Sequence, residues 1–391
     1  MISPVMPTYG DPDLAFDKGE GVYLYAADGR RFLDFGAGIA VAGLGHCHPH
    51  LIEALTGQAE KLWHCSNLYK IPDQIRLAER LVAASFADSV FFNNSGGEAV
   101  EMAIKIARKF HAANGNPERY RVITCDGAFH GRSLATIAAG GQEKHLAGFG
   151  PVVDGFDHVA FGNLNEMRAA IKPETAAILV EPVQGEGGIR PMSLDYLKGL
   201  REIADEFGIL LMFDEVQCGM GRTGKLFAHE WAGIEPDVLA TAKSLGGGFP
   251  VGAVLAKEGP ASAMTAGSHG STFGGNPLAM AVGNAVMDIV LADGFLARVD
   301  GVARYLWSRL EGLSEKYPTV FDGVSGAGLM VGIKCIPENS AIVEKCADGG
   351  LLVVAAGSNM VRMVPPLIIE DEHVDEAIGI LETAAEELAA G

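Results

Sequence analysis

The alternation of short apolar runs with longer amphipathic segments constrains the fold of this chain more than any other feature. Between residues 88 and 256, apolar and β-branched runs predict strands at residues 89–92, 121–124, 176–180, 209–213, 238–240 and 252–256. Helical spacing predicts helices among them, as at residues 98–110 and 193–207. Because the strands are apolar along their whole length, helices must cover both faces of the sheet. The pattern therefore predicts an α/β fold with a mostly parallel sheet.

The two ends of the chain show different patterns. Residues 22–35 predict a hairpin around a D-G turn, and a proline near the first turn predicts helices at residues 49–63 and 72–85. The elements predicted after residue 276 are helices at residues 277–291, 294–317 and 372–388, and strands at residues 328–333, 351–354 and 361–363. The last hundred residues therefore predict a smaller α+β unit.

The composition excludes several classes of protein. The 391 residues carry a formal net charge of −19, which repels nucleic acid and anionic membranes. Hydrophobic residues make up 48% of the chain, yet no apolar run approaches the roughly 20 residues that span a bilayer. No signal peptide is recognisable, and the six cysteines include no C-x-x-C pair. We therefore expect a cytoplasmic globular protein that binds neither nucleic acid nor membrane, and we expect His46 and His48 to pack rather than to bind a metal.

Residues 219–224 match G-x-G-x-x-G, the pattern of a dinucleotide-binding turn. That turn needs its glycines directly after a strand, and it needs a crossover helix after the last glycine. Here five residues separate the predicted strand from the glycines. Only eight residues, too few for the crossover helix, lie between Gly224, the last glycine of the pattern, and Gly233. We therefore expect an irregular loop rather than a dinucleotide site.

A carboxylate and a lysine follow two of the predicted strands. Asp214 comes at the end of the strand at residues 209–213, and Lys243 comes just past the strand at residues 238–240. Ligands of open α/β sheets bind outside the carboxyl ends of the strands, so both side chains are expected to face one crevice. Burial favours the free amine of a lysine, and a free amine forms Schiff bases with carbonyl compounds such as pyridoxal phosphate. An acidic partner for the pyridinium nitrogen is the second requirement of that cofactor.

A phosphate site is predicted where the strand at residues 89–92 runs into a helix. The connecting letters N-N-S-G-G-E-A place Ser95, Gly96 and Gly97 at the start of that helix. Free backbone N–H groups at a helix start bind phosphate without a basic side chain. The alternative for these three residues alone is an ordinary capped turn.

The chain resembles the class III pyridoxal-phosphate aminotransferases over nearly its whole length. The motifs that carry the resemblance are, in order, G-V-Y-L-Y-A-A-D-G-R-R-F-L-D-F, L-G-H-C-H-P, N-S-G-G-E-A, F-H-G-R, E-P-V-Q-G-E-G-G, D-E-V-Q-C-G-M-G-R-T-G, A-K-S-L-G-G-G-F-P, S-T-F-G-G-N-P-L-A and V-R-M-V-P-P-L. The resemblance implies fold type I of the pyridoxal-phosphate enzymes. In that fold a large domain with a mostly parallel seven-stranded sheet is joined to a smaller α+β domain built from both chain ends. We place the boundaries at residues 1–50, 51–290 and 291–391, with the first and last segments forming the small domain.

The resemblance also implies how the cofactor, pyridoxal 5'-phosphate (PLP), is held. Lys243 is expected to bond to the PLP aldehyde and to move the proton between substrate and cofactor, and Asp214 to keep the pyridine nitrogen protonated. Val216 and Phe129 are expected to pack on the two ring faces, and Gln217 to reach the phenolic oxygen.

Further residues are implied around the PLP phosphate. Ser95, Gly96 and Gly97 are expected to bind it. Thr272 is expected to add a hydroxyl to the phosphate of the neighbouring subunit, which implies a homodimer with sites at the interface.

The substrates implied by the resemblance are an amino acid and a 2-oxo acid. Arg132 is expected to bind a carboxylate far from the reacting amine, with help from Ser271, and Arg362 to bind the α-carboxylate of glutamate or 2-oxoglutarate. Glu186 is expected to pair with Arg362 when the substrate chain near the amine is uncharged. Planar, forked guanidinium groups suit carboxylates.

Within the family the motifs are most similar to those of enzymes that transfer the δ-amine of N2-acetylornithine to 2-oxoglutarate in arginine biosynthesis. Succinylornithine, ornithine, 4-aminobutyrate and succinyl-diaminopimelate are the alternative substrates, and a semialdehyde aminomutase is the alternative reaction. Residues 36–45 contain no tyrosine that could meet the α-amino group of ornithine.

Overall fold

The computed structural model describes residues 4–10 and 13–390. The strands are β1 (Phe16–Glu20), β2 (Tyr23–Ala26), β3 (Arg31–Asp34), β4 (Ser89–Asn93), β5 (Arg121–Cys125), β6 (Phe156–Val159), β7 (Thr175–Val180), β8 (Val183–Gln184), β9 (Arg190–Pro191), β10 (Leu210–Asp214), β11 (Val238–Thr241), β12 (Gly252–Ala256), β13 (Phe321–Ala327), β14 (Met330–Cys335), β15 (Leu351–Leu352), β16 (Val354–Ala356) and β17 (Met360–Met363). The helices are α1 (Ala37–Ala40, with a left-handed backbone), α2 (Pro49–Ala59), α3 (Pro72–Ala83), α4 (Gly96–Ala113), α5 (Leu134–Gly140), α6 (Glu143–Leu146), α7 (Leu164–Ala170), α8 (Leu194–Phe207), α9 (Glu258–Ser262), α10 (Pro277–Val290), α11 (Phe295–Lys316), α12 (Asn339–Asp348) and α13 (Asp371–Ala390).

A seven-stranded sheet forms the centre of the fold, in the order β4-β12-β11-β10-β7-β5-β6. Strands β11, β10, β7, β5 and β6 are parallel, and β12 runs antiparallel to both of its neighbours. The buried apolar side chains of α4 pack on one face of the sheet, and those of α8 pack on the other. The predicted α/β fold with a mostly parallel sheet is confirmed.

One strand of this sheet was not predicted from its own residues. Strand β6 reads Phe-Asp-His-Val and carries two polar side chains in four residues. It lies at the edge of the sheet, where polar side chains are tolerated and discourage pairing with other chains. Its polar composition therefore hides it from a search for apolar runs.

The two chain ends meet in a second sheet. Strands β1, β2 and β3 form an antiparallel meander, and the C-terminal strand β15 pairs with β3 in parallel, Leu351 opposite Leu33. A further sheet, β13-β14-β17-β16, packs on α11 and α13. This pairing supports the proposed small domain built from both ends, whose exact boundaries remain a prediction.

The predicted strand at residues 351–354 is wrong as a single element, because it divides between two sheets: β15 pairs with β3, whereas β16 pairs with β17. Within residues 4–10 and 13–390, no single helix is long and apolar enough to cross a membrane. Only α10 and α11 taken together pass that test, and they are bent by 71° relative to each other.

Candidate active site

A cavity of about 310 Å³ lies at the carboxyl ends of β10 and β11, beside the first turn of α4. Its lining includes eight residues predicted to hold the cofactor: Ser95, Gly96, Gly97, Phe129, Asp214, Val216, Gln217 and Lys243. The parallel pairing of β10 with β11 places Asp214 opposite Ala240, three positions before Lys243. The acid and the lysine therefore face one crevice because adjacent parallel strands end at the same edge.

The start of α4 forms one wall of the cavity. Ser95 is the N-cap, and its Oγ accepts a hydrogen bond from the backbone N–H of Glu98 at 3.2 Å. A Cβ at Gly96 would come within 2.5 Å of Val216 Cγ1, so any larger residue here requires Val216 to shift. Apart from its chain neighbours and its own helix backbone, the nearest described atom to a Cβ at Gly97 would be the Cα of Gly131, at 4.0 Å. The positive end of an 18-residue helix, with its free N–H groups, thus faces the cavity.

Asp214 is almost completely buried and has two partners. Its Oδ1 accepts the backbone N–H of Val216 at 3.0 Å, and its Oδ2 lies 2.8 Å from Nδ1 of His130. Because a carboxylate only accepts hydrogen bonds, the imidazole is the donor. Burial opposes a charged imidazole, but the hydrogen bond and charge of Asp214 outweigh it and raise the pKa of His130.

His130 is the residue of this site whose partner the sequence did not reveal. Its ring is fully buried, lines the cavity and contacts Asp214. Its Nε2 has no hydrogen-bond partner within the described part of the chain. The letters F-H-G-R were the available signal, but they do not reveal a partner 84 positions away.

Lys243 follows β11 in a tight turn with φ of 48°, in the left-handed region that non-glycine residues avoid. Burial, followed by the charge of Arg362, lowers the pKa of its amine to about 8. Glu186, Asp214 and Glu181 act in the opposite direction but do not cancel this effect. The amine is consequently far easier to deprotonate near neutral pH than that of an exposed lysine.

Glu181 orders the backbone around the ring position. Its Oε1 accepts the N–H of Phe129 at 2.9 Å, and its Oε2 accepts the N–H of Gly185 at 3.4 Å. Burial raises the pKa of this carboxyl group to about 7, although the charge of His130 acts against it. These two contacts give Glu181 an ordering role in the wall of the cavity.

Arg362 is buried beside the cavity and paired with Glu186. Its Nη1 donates to Glu186 Oε1 at 2.5 Å and to Gln217 Oε1 at 3.1 Å. Burial acts to raise the pKa of Glu186, but the charge and hydrogen bond of Arg362 outweigh it and lower that pKa. The predicted pair is therefore formed in the structure, next to Gln217 in the cavity wall.

Arg132, Ser271 and Thr272 do not line the cavity within this chain. The exposed guanidinium of Arg132 lies 5.5 Å from the ring centroid of Phe129. The Oγ of Ser271 accepts hydrogen bonds from the N–H of Gly274 at 2.9 Å and from Nδ2 of Asn94 at 3.2 Å, and Thr272 is exposed. The roles of these three residues stay predictions.

The histidines near residue 47 have local roles. His46 Nε2 lies 2.8 Å from Asp34, and His48 Nδ1 accepts the N–H of His50 at the start of α2. Residues 219–224 form successive turns rather than a helix start, as predicted. Within residues 4–10 and 13–390, no group of three or more His, Cys, Asp or Glu side chains is arranged to hold a metal ion.

The donor set fits PLP on structural grounds alone. A helix start with a glycine packed against Val216 suits the phosphate, a buried carboxylate suits the pyridinium nitrogen, and an amine of lowered pKa suits the aldehyde. All three surround one cavity.

Comparison with known proteins agrees with this geometry. Residues 6–385 match the family described as aminotransferase class-III. An acetylornithine aminotransferase of Mesorhizobium japonicum is 57% identical over 387 residues, covering 99% of this chain and 97% of that protein.

Two solved structures are similar over nearly their whole length. The N-acetylornithine aminotransferase of Stenotrophomonas maltophilia has a TM-score of 0.86 and 38% identity, and covers 98% of both chains. An ornithine aminotransferase of Toxoplasma gondii, described with PLP at its active site, has a TM-score of 0.93 and 29% identity, and covers 98% of this chain and 93% of its own. The chain belongs to the class III aminotransferases, and its cofactor is PLP.

Proposed function

We propose that this enzyme transfers the δ-amino group of N2-acetylornithine to 2-oxoglutarate in arginine biosynthesis. The names of its relatives support this substrate. The structural observation that carries the proposal is the buried pair of Arg362 with Glu186 beside Lys243 and Gln217. A site with this pair can present either a free guanidinium or a neutralised one.

The two substrates differ where they approach this pair. Glutamate carries a carboxylate next to its reacting amine, and that carboxylate binds Arg362 after displacing Glu186. The δ-amine of acetylornithine is attached to an uncharged chain, so Glu186 stays on Arg362 and no buried guanidinium is left unpaired. The carboxylate at the far end of either substrate then binds Arg132, with Ser271 nearby.

The other residues of the cavity would bind the cofactor and move the substrate proton. PLP, when bound, supplies an aldehyde that carries the amino group and a ring that stabilises negative charge beside it. Asp214, held by His130, would keep the ring nitrogen protonated, while Val216 and Phe129 would confine the ring. Gln217 would bind the phenolic oxygen, and Ser95, Gly96 and Gly97 would bind the phosphate. The amine of Lys243 would hold the aldehyde carbon and, once released by the substrate amine, would move the substrate proton.

We also propose a homodimer with both sites at its interface. The connection between α2 and α3 carries three exposed apolar side chains. The exposed fraction is 65% for Trp63, 85% for Leu68 and 68% for Tyr69. Phe273, next to Thr272, is 61% exposed. Exposed apolar surface of this kind is typical of an interaction site, and Thr272 is then free to reach the phosphate bound by the other subunit. A cytoplasmic location is proposed as well, since all six cysteines are unpaired.

Single-turnover half-reactions test the substrate directly. The PLP-loaded enzyme is mixed separately with acetylornithine, succinylornithine, ornithine, 4-aminobutyrate and succinyl-diaminopimelate, and the change of cofactor absorbance is followed. We expect acetylornithine to react at least about tenfold faster per unit concentration than ornithine, because residues 36–45 offer no charged side chain or tyrosine to the second amine of ornithine.

Two outcomes of this panel would refute the proposal. A faster reaction with another amine would identify that amine as the substrate. Formation of more than one product molecule per site without a 2-oxo acid would indicate an aminomutase, because the half-reaction of an aminotransferase stops after one. Borohydride reduction is expected to fix PLP to Lys243, and fixation on another residue would refute the assigned site.

A further inference from the structure

Two strained backbone segments face each other beside the cavity. Ala37, Gly38, Ile39 and Ala40 have φ values of 45°, 62°, 62° and 62°, so the whole of α1 is a left-handed turn. Lys243 has φ of 48°. Left-handed backbone is costly for residues other than glycine, and it is especially so for a β-branched residue such as Ile39. Such conformations persist only where the surrounding structure enforces them.

The side chain of Ser244 joins the two segments. The hydroxyl of buried Ser244, the residue after Lys243, donates a hydrogen bond to the carbonyl oxygen of Ala40 at 2.8 Å. Gly43 makes this approach possible, because a Cβ there would lie 2.6 Å from the Oγ of Ser244 and 2.9 Å from its Cβ. The turn that carries the lysine is thus tied to the left-handed turn by one short bond.

The left-handed turn is itself anchored at its other end. The Oδ1 of Asp34 accepts the N–H groups of Gly36 at 2.9 Å and Ala37 at 2.8 Å, while its Oδ2 contacts His46. Val41, directly after the turn, lines the cavity. A displacement of the turn would therefore move the cavity wall and the lysine together.

We propose that Ser244 is a positioning residue, which holds the strained turn of Lys243 against the left-handed turn Ala37–Ala40 and so fixes the amine at the cavity. The proposal rests on the role of Lys243 given above. Without this hydrogen bond, the lysine turn can relax toward ordinary backbone angles. The amine then shifts relative to the cavity and becomes better hydrated.

The test compares Ser244→Ala with Ser325→Ala. Both remove a hydroxyl that donates to a backbone carbonyl at 2.8 Å, but Ser325 binds Ile189 and has no contact with Lys243. The full-length chain is freed of PLP, and the modification of Lys243 by a small amine reagent is measured against pH by peptide mass spectrometry. The charged groups facing this amine are Arg362, Glu186, Asp214 and Glu181, and all of them remain in both variants.

For Ser244→Ala we expect the midpoint of Lys243 modification to rise by roughly half a pH unit or more, because burial lowers the pKa in the parent. With PLP restored, kcat should fall roughly tenfold while KM changes little, since a misplaced group costs the chemical step. Ser325→Ala should match the parent in both measurements. Gly43→Ala, which crowds the hydroxyl without removing it, should reproduce the effects of Ser244→Ala.

The outcomes separate this inference from the proposed function. An unchanged Lys243 profile and kcat in both Ser244→Ala and Gly43→Ala, with PLP still fixed to Lys243 by borohydride, would refute the positioning role alone. Fixation of PLP elsewhere in the parent would refute the proposed site itself.

Discussion

Gly96 and Gly97 are neighbours in sequence, but a side chain would meet different surroundings at each. A Cβ at Gly96 would overlap Val216. A Cβ at Gly97 would meet no described atom closer than 4.0 Å outside its chain neighbours and its own helix backbone. We expect Gly96→Ala to destabilise the PLP-free chain by about 1–3 kcal/mol through overpacking. Gly97→Ala should leave that stability within about 0.5 kcal/mol, yet weaken PLP binding roughly tenfold by crowding the phosphate.

Thermal unfolding of the PLP-free variants and titration with PLP distinguish these effects. Unchanged PLP affinity in Gly97→Ala would place the phosphate away from this helix start. A stable Gly96→Ala would mean that Val216 can move aside.

His130 is expected to control how firmly Asp214 is held. His130→Leu removes the 2.8 Å hydrogen bond to the buried carboxylate, whereas His130→Asn keeps an N–H donor close to the position of Nδ1. Hydrogen bonds to charged groups contribute about 1.5–3 kcal/mol, so PLP affinity should fall by roughly ten- to a hundredfold in His130→Leu. His130→Asn should recover most of that loss. Equal PLP affinities in the two variants, measured by equilibrium titration, would show that the hydrogen bond does not matter.

At the scale of single residues, the sequence predicted the site residues that lie within contiguous motifs. It did not predict the contacts that join one motif to another. The glycines, Asp214 and Lys243 follow from strand ends and helix starts. His130 and Arg222 do not, because their roles depend on partners far along the chain. Arg222 lies in a segment interpreted as a plain loop. It is nevertheless fully buried, and its Nη1 donates to the carbonyl oxygens of Leu329 and Pro365.

Among the elements, the left-handed turn α1 offers a direct test of stored strain. Ile39 has φ of 62° and is 40% exposed, while Ile52 in the right-handed helix α2 is 43% exposed. Ile39→Gly should stabilise the protein by about 1 kcal/mol, because relief of left-handed strain exceeds the added entropy of the unfolded chain. Ile52→Gly should destabilise it by a similar amount, since glycine is a poor residue within a right-handed helix.

Chemical denaturation of both variants measures these free energies of unfolding. Destabilisation of equal size at the two positions would mean that the turn α1 stores no strain. The opposite signs are the expected result because the two isoleucines are matched in type and exposure.

Elements with strong local signals were predicted well, and those that depend on neighbours were not. The prolines that open α3 and α10 and the N-cap Ser193 of α8 gave starts that agree with the structure within a residue. The left-handed backbone of α1 could not be predicted, because Ala37 and Ile39 carry no preference for it. A distant contact, the hydrogen bond from Ser244 to Ala40 across 204 positions, helps to impose that conformation.

At the scale of the whole molecule, residues 35–43 connect the segment around Arg362 to Lys243. Val364, two residues after Arg362, donates its N–H to Phe35 at 2.7 Å, and Leu367 donates to Gly43 at 2.6 Å. The same segment reaches Lys243 through Ser244. The first two pairings join residues more than 300 positions apart, and the third joins residues 204 positions apart. No local pattern could reveal them, and only the resemblance to a family predicted that the chain ends combine.

The proposed dimer predicts that two inactive variants regain activity when they pair, which a site formed within one chain could not produce. Lys243→Ala removes the reactive amine, and Thr272→Asp places a negative charge where the phosphate of the neighbouring subunit is expected. Each homodimer should therefore be nearly inactive. In a mixed dimer, the subunit with an intact Lys243 receives an intact Thr272 from its partner, so one complete site is restored.

Co-expression of the two variants in equal amounts, with a different affinity tag on each, isolates the mixed dimer. Because random pairing gives half mixed dimers with one intact site each, the unfractionated mixture should show about a quarter of the parental activity. The purified mixed dimer should show about half. If Thr272 instead served the site of its own chain, every site would carry one lesion, and neither preparation would regain activity. Size-exclusion chromatography of both variants controls for loss of the dimer, which would otherwise produce the same inactivity.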